Sequence, residues 1–366
     1  FKASVQITAS HNPAEYNGMK VSREHALPVG YDTGLGQIKE WIETGRECPV
    51  AEKRGEVHQI DVRKDYLPFL LKYKEDWSGL KIAMDVSNGM ASLFVHEIFG
   101  DEPAYIYDNM DGTFPNHEPN PLVPKNVVDL QKLVAATKAD IGIIFDGDAD
   151  RVMFVDENSR FISPDLMIAV LGHYFLEERG EKGYIHQDIR SSKAVGEYLA
   201  PMGGVMNTWR VGRAYAALKL RELDGVYGGE LAGHYYFRDF FYSDSGLLAA
   251  LLIVNVAARM KAQGVSLSQL IGRIEKYQNS GEINFRLEDK KGAMDAVRDY
   301  FMQKEKSTAY MDFDGYRVEF PDWWFNIRPS NTEPYLRFIC EATTKELLDE
   351  KVAKVREILT DQFGAK

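Results

Sequence analysis

The sequence of 366 residues predicts an α/β protein that ends in a smaller α+β domain. Three observations lead there. Short apolar runs alternate with segments of helical period from residue 81 to residue 263. One run, Ile141–Phe145 (IGIIF), is apolar throughout, as buried parallel strands are. After residue 280 the pattern changes to closely spaced strand-like runs with one or two helices among them.

Taken in order, residues 81–86 (KIAMDV) read as a strand closed by Asp85, Ser87, Asn88 and Gly89, a strand-then-turn signal. A helix is expected over 91–99 and a second strand over 104–107. Residues 126–137 place Val127, Leu130, Leu133 and Val134 at helical spacing and lead into Ile141–Phe145, completing a β-α-β-α-β unit. A similar unit follows: a helix over 164–179 with Pro164 near its first turn, a strand over 183–187, a helix over 193–200, a strand over 204–208, and a helix over 213–223 introduced by Gly212. Residues 245–263 form a long helix that is apolar all round, so it is expected to be buried. In the tail, 281–287, 316–320, 323–327 and 335–341 look like strands. Residues 344–363 look like an amphipathic helix with Thr343 or Thr344 as its N-cap. Boundaries are expected near 60, 162 and 276, giving segments 1–60, 61–162, 163–276 and 277–366. The opening Phe1-Lys2-Ala3-Ser4-Val5-Gln6-Ile7 reads like the middle of a domain, so the first unit is expected to be truncated at its N-terminus.

A net charge of −11 argues against a general nucleic-acid or membrane role. It does not exclude an anionic small substrate, because local arginines override a global sign. No apolar run reaches the ~20 residues needed to span a bilayer, and no signal peptide is visible. The two cysteines, Cys48 and Cys340, stand far apart and in no metal-ligand spacing, which excludes a disulfide framework and a structural zinc site. A reducing, cytoplasmic setting is expected. Monomer and dimer are both left open.

Four segments carry chemistry. The first is Thr8-Ala9-Ser10-His11-Asn12-Pro13 followed by Tyr16-Asn17-Gly18-Met19-Lys20. Its plain reading is a turn. Its functional reading makes Ser10 a nucleophile or phosphate carrier, which needs a neighbouring base or a metal; His11 and Lys20 are the candidates for helping it. The second, Asp146-Gly147-Asp148-Ala149-Asp150-Arg151, follows the IGIIF strand directly. Three carboxylates at alternate positions raise one another's pKa unless a cation sits among them, and hard oxygen ligands suit Mg²⁺. An EF-hand loop needs Gly at its sixth position, where Arg151 stands, although Glu157 falls at the twelfth. A dehalogenase-like phosphatase motif is a further alternative, with Asp146 as nucleophile. The third segment is Gly228-Gly229-Glu230-Leu231-Ala232-Gly233-His234, whose Glu230 is suited to accept two sugar hydroxyls. The fourth is Arg328-Pro329-Ser330-Asn331-Thr332-Glu333-Pro334 with Arg337 beyond it. A guanidinium, hydroxyls and backbone amides in one tight loop make a phosphate cradle.

Together and in this order, these segments resemble the α-D-phosphohexomutase superfamily, whose serine loop T-A-S-H-N-P stands here unaltered. The resemblance covers essentially the whole chain. Gly229-Glu230-Leu231-Ala232-Gly233-His234 and Arg328-Pro329-Ser330-Asn331-Thr332 are most similar to the bacterial phosphomannomutase/phosphoglucomutase group. The resemblance implies three similar α/β domains and a smaller α+β domain around one central cleft. It also implies interconversion of hexose 1-phosphate and 6-phosphate, of mannose or glucose, with a hexose phosphate as the small-molecule partner. Phosphorylated Ser10 would act with Mg²⁺ on Asp146, Asp148, Asp150 and a phosphoserine oxygen, and glucose 1,6-bisphosphate or its mannose equivalent would serve as intermediate and activator. Lys20, with a pKa depressed by neighbouring positive charge, is the implied general base, and Arg151 the stabiliser of transfer. Arg190, Glu230 and His234 are implied to hold the sugar, and Arg328, Ser330, Asn331, Thr332 and Arg337 its phosphate. Two departures stand out. Ala232 replaces a frequent Ser, and Arg213 replaces a frequent His; an arginine there binds rather than shuttles protons. Alternatives are a phosphoglucosamine mutase, a dehalogenase-like phosphatase and a non-catalytic sugar-phosphate-binding relative.

Overall fold

The computed structural model describes residues 1–330 and 334–365. Four sheets follow one another along the described residues. The first is a hairpin of Ala3–Ile7 and Met19–Arg23, with Gln6 opposite Lys20 and Ile7 opposite Met19. Thr8 N donates to Gly18 O at 3.0 Å and closes its base, so the Ser10 loop projects from the hairpin end. A short helix, Leu35–Glu43, completes this unit.

The second sheet has five strands in the order Ala104–Ile106, Ile82–Asp85, Ile141–Phe145, Val152–Asp156, Phe161–Ile162. The first three run parallel, as the alternating pattern predicts, and the last two return antiparallel. The return strand Val152–Asp156 is buried at every position. Its consequence is local: residues 146–151 become a hairpin loop at the carboxyl end of the parallel strands, where α/β sheets bind ligands. This strand context, with no flanking helices, rules out an EF-hand. The helix expected over 91–99 splits into a 3₁₀ turn, Met90–Leu93, and a short helix, Val95–Phe99, because Phe94 leaves helical geometry at φ −133°.

The third sheet repeats the plan, in the order Ser243–Asp244, Tyr235–Phe237, Tyr227–Gly229, Tyr184–Asp188, Val205–Trp209. The helix expected over 164–179 starts at Leu166, where the Asp165 carboxylate accepts Leu166 N, and its final turn widens to a π-helix over His173–Glu178. The long helix runs Gly246–Ala262 and is buried almost throughout. It is apolar all round because it lies between units: one continuous core reaches from Leu70 to Ile274 and includes both sheets.

The last unit is a six-stranded antiparallel sheet with its own core, including Trp323, Phe325, Phe338 and Leu359. Two helices pack on it. Lys345–Phe363 is capped by Thr344, whose hydroxyl accepts Leu347 N at 3.2 Å. Lys290–Lys304, which the sequence reading left unplaced, buries Ala293, Met294, Val297 and Phe301 along one face. Among the described residues no single helix is long and apolar enough to cross a membrane.

Candidate active site

The serine loop meets the acidic loop directly. Thr8 Oγ1 donates to Asp148 Oδ2 at 2.7 Å and accepts Ser10 N at 2.8 Å. A Cβ on Gly147 would stand 2.6 Å from the Ser10 carbonyl oxygen, so only glycine permits this approach. Ser10 itself takes a positive φ of 56°, a conformation sparsely used by serine. Its hydroxyl lies 3.3 Å from His11 Nδ1 and 3.4 Å from Arg151 Nη2, and Arg151 Nη2 also donates to His11 Nδ1 at 2.8 Å. Burial, reinforced by Arg151, pulls the His11 imidazole down to about 4, so it is neutral near pH 7.

The three aspartates of the loop converge. One carboxylate oxygen from each of Asp146, Asp148 and Asp150 lies within 4.8 Å of the others. Asp146 Oδ2, Asp148 Oδ1 and Asp150 Oδ1 are buried with no hydrogen-bond partner. Burial first, and the Asp150 charge second, push the Asp146 carboxyl well above the usual carboxylate range. Orphaned, convergent hard oxygens are the donor set of an oxygen-loving divalent cation, so these residues fit Mg²⁺.

Lys20 reaches the same loop, with Nζ 2.6 Å from Asp148 Oδ2 and 2.5 Å from Asp150 Oδ2. The depressed pKa expected of it is not found here. Burial works against its charge, but Asp150 and Asp148 outweigh burial and raise its pKa. In this arrangement Lys20 is a held cation flanked by carboxylates.

The glycine-rich loop of the third unit zips onto the acidic loop. Val152 N donates to Gly233 O at 3.1 Å, beside a β-bridge between Arg151 and His234. His234 Nδ1 pairs with Asp244 Oδ2 at 2.8 Å and stands 3.8 Å from Asp150 Oδ1. Arg213 Nε takes the other oxygen of Asp244 at 2.7 Å. Asp244 is buried, yet His234 and Arg213 hold its carboxyl well below the usual range. Arg213 is thus an anchor for the carboxylate that orients His234. Glu230, 1% exposed, accepts Gly212 N at 2.8 Å, and its pKa is raised by burial.

The remaining cations gather where the third unit meets the last. Arg190 forks onto Asp188, Nε to Oδ1 at 3.1 Å and Nη2 to Oδ2 at 2.9 Å. Its Nη1 lies 3.7 Å from Glu282, which also pairs with Arg337 at 3.2 Å. Arg328 Nε donates to Asp314 Oδ1 at 3.1 Å, and Ser330 N donates to Tyr335 O at 2.8 Å. Asn331 and Thr332 lie outside the described residues.

Two clusters therefore form: Ser10, His11, Lys20, the aspartates, Arg151 and His234 on one side, and Arg190, Arg328 and Arg337 on the other. The loop of Glu230 joins them: Glu230 N donates to His234 O at 2.9 Å, and Leu231 N donates at 2.8 Å to Asp188 Oδ2, the partner of Arg190. The sequence reading missed Thr8, Asp188, Asp244 and Asp314. Asp244 carried a weak signal, a lone acid in Ser243-Asp244-Ser245-Gly246 ahead of a helix, which reads equally as a cap.

Comparison with known proteins agrees with this layout. Models of the phosphoglucomutase/phosphomannomutase alpha/beta/alpha domains I, II and III match residues 1–47, 64–159 and 163–277, and that of the C-terminal domain matches 282–358. The phosphomannomutase of Salmonella montevideo is 37% identical over 94% of this chain and 79% of its own length. That of Methanocaldococcus jannaschii is 33% identical over 98% of this chain and 79% of its own. A phosphoglucomutase/phosphomannomutase family structure from Burkholderia thailandensis superposes with a TM-score of 0.84 at 27% identity, covering 98% of this chain and 76% of that one. The same fold appears in Aspergillus fumigatus N-acetylphosphoglucosamine mutase, solved with GlcNAc-6P and magnesium, at a TM-score of 0.70 and 14% identity over 98% of this chain and 89% of that one. Four domain matches in sequence order, and relatives above 30% identity along nearly the whole chain, place it: it belongs to the phosphoglucomutase/phosphomannomutase family of the α-D-phosphohexomutase superfamily, and it is an isomerase of the phosphomutase class.

Proposed function

We propose that this enzyme interconverts hexose 1-phosphate and hexose 6-phosphate, of mannose or glucose, through a phosphorylated Ser10 and a hexose 1,6-bisphosphate. The observation that carries the reading is the seating of Ser10 against three convergent carboxylates, each with one buried oxygen that accepts no hydrogen bond, with Arg151 at its hydroxyl. An imidazole pulled down to about 4 is a weak base for activating the Ser10 hydroxyl. The same serine beside a divalent-cation site and a guanidinium is well placed to carry a phosphoryl group.

In the forward step a P–O bond forms to the free hydroxyl of the sugar phosphate as the Ser10 Oγ–P bond breaks. The hydroxyl proton passes to a base, the departing Ser10 Oγ takes up a proton in its place, and the bisphosphate then turns over and returns its other phosphoryl group to Ser10. Asp146, Asp148 and Asp150 would hold Mg²⁺, which would supply charge neutralisation at the transferring group. Arg151 adds a second positive charge there. Lys20 keeps the acidic loop and the serine hairpin together. His234, fixed at Nδ1 by Asp244, offers its other nitrogen for the proton and suits that task better than Lys20. Glu230 accepts sugar hydroxyls, and Arg328 with Ser330, Asn331 and Thr332 grips the phosphate that does not react. Arg190, Arg213 and Arg337, each paired with a carboxylate, offer further guanidinium donors to an anionic substrate. Glucose 1,6-bisphosphate or its mannose equivalent primes Ser10. The unpaired cysteines, Cys48 and Cys340, support a cytoplasmic setting.

The test is intact-mass measurement after incubation with glucose 1,6-bisphosphate and Mg²⁺. One phosphoryl adduct is expected on the native chain and none on Ser10→Ala; an adduct that survives the substitution overturns the assignment. Coupled assays with mannose 1-phosphate, glucose 1-phosphate and glucosamine 1-phosphate then rank the sugars, and a preference for glucosamine 1-phosphate overturns the mannose or glucose reading.

A further inference from the structure

Three consecutive residues at the turn before helix Arg213–Glu222 are each held by a carboxylate from a different place. Val211 N donates to Asp314 Oδ2 at 2.8 Å, Gly212 N to Glu230 Oε1 at 2.8 Å, and Arg213 Nε to Asp244 Oδ1 at 2.7 Å. Gly212 takes a φ of +124°, which residues with side chains rarely adopt, and this lets adjacent amides point at separate acceptors. Asp314 belongs to the last unit, in the turn between strands Ala309–Met311 and Tyr316–Glu319. Its second oxygen accepts Arg328 Nε at 3.1 Å. The turn is clamped to the third unit on both sides. Phe313 stacks on Trp209 with centroids 5.0 Å apart, and Arg317 Nη1 donates to the carbonyls of Ile189 and Ser191 at 2.8 and 2.7 Å.

We infer that Asp314 is a positioning residue for the mutase reaction, aiming Arg328 at the substrate phosphate and tying that grip, through the Val211–Gly212 turn, to Glu230 at the sugar. This rests on the roles proposed above for Arg328 and Glu230. The physical argument has two parts. A carboxylate on Nε fixes the guanidinium plane, and the plane decides where the fork meets phosphate oxygens. A substrate that turns over between half-reactions must also find phosphate grip and sugar acceptor at one fixed separation in both orientations. A short turn bonded at one amide to Asp314 and at the next to Glu230 holds that separation, although the two grips come from different domains.

Steady-state kinetics of the full chain with mannose 1-phosphate and glucose 1-phosphate test this, with circular dichroism and thermal melts to confirm folding. Loss of a hydrogen bond to a charged group corresponds to about a ten- to hundredfold effect. Asp314→Ala is therefore expected to raise KM about tenfold or more for both sugars and to shift the mannose-to-glucose ratio of kcat/KM. Combined with Arg328→Ala, it is expected to add little to the effect of Arg328→Ala alone, because the two act as one unit. Asp314→Asn keeps size and one acceptor and should fall between wild type and the alanine variant; if Asp314→Ala does not fold, an unchanged KM in Asp314→Asn overturns the inference. A folded Asp314→Ala enzyme with unchanged KM and unchanged sugar ratio also overturns it, whatever happens to kcat. If Arg328→Ala raises KM while Asp314→Ala changes neither KM nor the sugar ratio, the inference about Asp314 falls and the phosphate role of Arg328 stands. If Arg328→Ala is silent, the phosphate role of Arg328 falls and the coupling with it.

Discussion

Gly147 is the residue on which the contact between serine loop and acidic loop depends. Its missing Cβ would lie 2.6 Å from the Ser10 carbonyl oxygen, with Pro119 Cβ closing the other side at 3.3 Å. A methyl group there has no place to go, so Gly147→Ala must push the Ser10 loop off the carboxylates. Misplacement of reacting groups by about 1 Å costs about a hundredfold in rate. The variant is expected to lose about two orders of magnitude in kcat/KM with little change in its melting temperature, as measured by steady-state kinetics and thermal denaturation. Retention of wild-type kcat/KM would show that this apposition is not needed for turnover. Arg213 is a second residue whose meaning changed with the structure. Its sequence position suggested a lost proton carrier, yet its guanidinium anchors Asp244, which in turn orients His234.

Among the elements, the helix Gly246–Ala262 has the longest reach, because it belongs to the third unit and fills the core of the second. Asn255, fully buried on it, donates to Tyr73 O at 2.7 Å and accepts Trp77 Nε1 at 2.6 Å. Asn255→Leu strands both partners in an apolar seam. The expected cost is about 2–4 kcal/mol, read as a lower urea midpoint; an unchanged midpoint would mean that the seam does not need this pair. The burial of this helix was legible because nothing polar lines any of its faces but Asn255 and its C-terminal turn. Ile141–Phe145 was legible for the same reason, and the capped helix 345–363 because Thr344 announces it. The return strand Val152–Asp156 carried an equally apolar run, but the charged loop 146–151 before it gives no sign that the chain doubles back. The serine and acidic loops were readable because their chemistry lies in contiguous letters. Asp244 and Asp314 were not, since a carboxylate's partner is set by folding: Asp314 meets Val211 across 103 positions, and Lys20 meets Asp148 across 128.

At the scale of the whole molecule, the joints between domains are chemically unequal. The second and third domains share one apolar core, whereas the last keeps its own core and meets the third through polar groups and the stack of Phe313 on Trp209. Glu341 is the buried centre of that joint. Its Oε2 accepts Ser192 Oγ and Trp324 Nε1, both at 2.8 Å, and its Oε1 accepts Asn279 Nδ2 at 2.9 Å. Ser192 N in turn donates to Asp165 Oδ2 at 2.8 Å, which brings a second buried carboxylate close. Burial, with the Asp165 charge behind it, pushes the Glu341 carboxyl up to about 7. An unfolded chain releases this proton near pH 4.3. Between those values the folded protein binds a proton that the unfolded chain has lost, so stability falls as pH rises from about 4.3 to about 7 and the full penalty stands above that window. Glu341→Gln removes the titration while keeping an acceptor for Ser192 and Trp324. Relative to wild type, the variant should gain on the order of 2–3 kcal/mol between pH 5 and pH 8, measured by urea unfolding followed through tryptophan fluorescence at both pH values. Parallel pH profiles for the two proteins would show that this joint holds together without regard to the charge on Glu341.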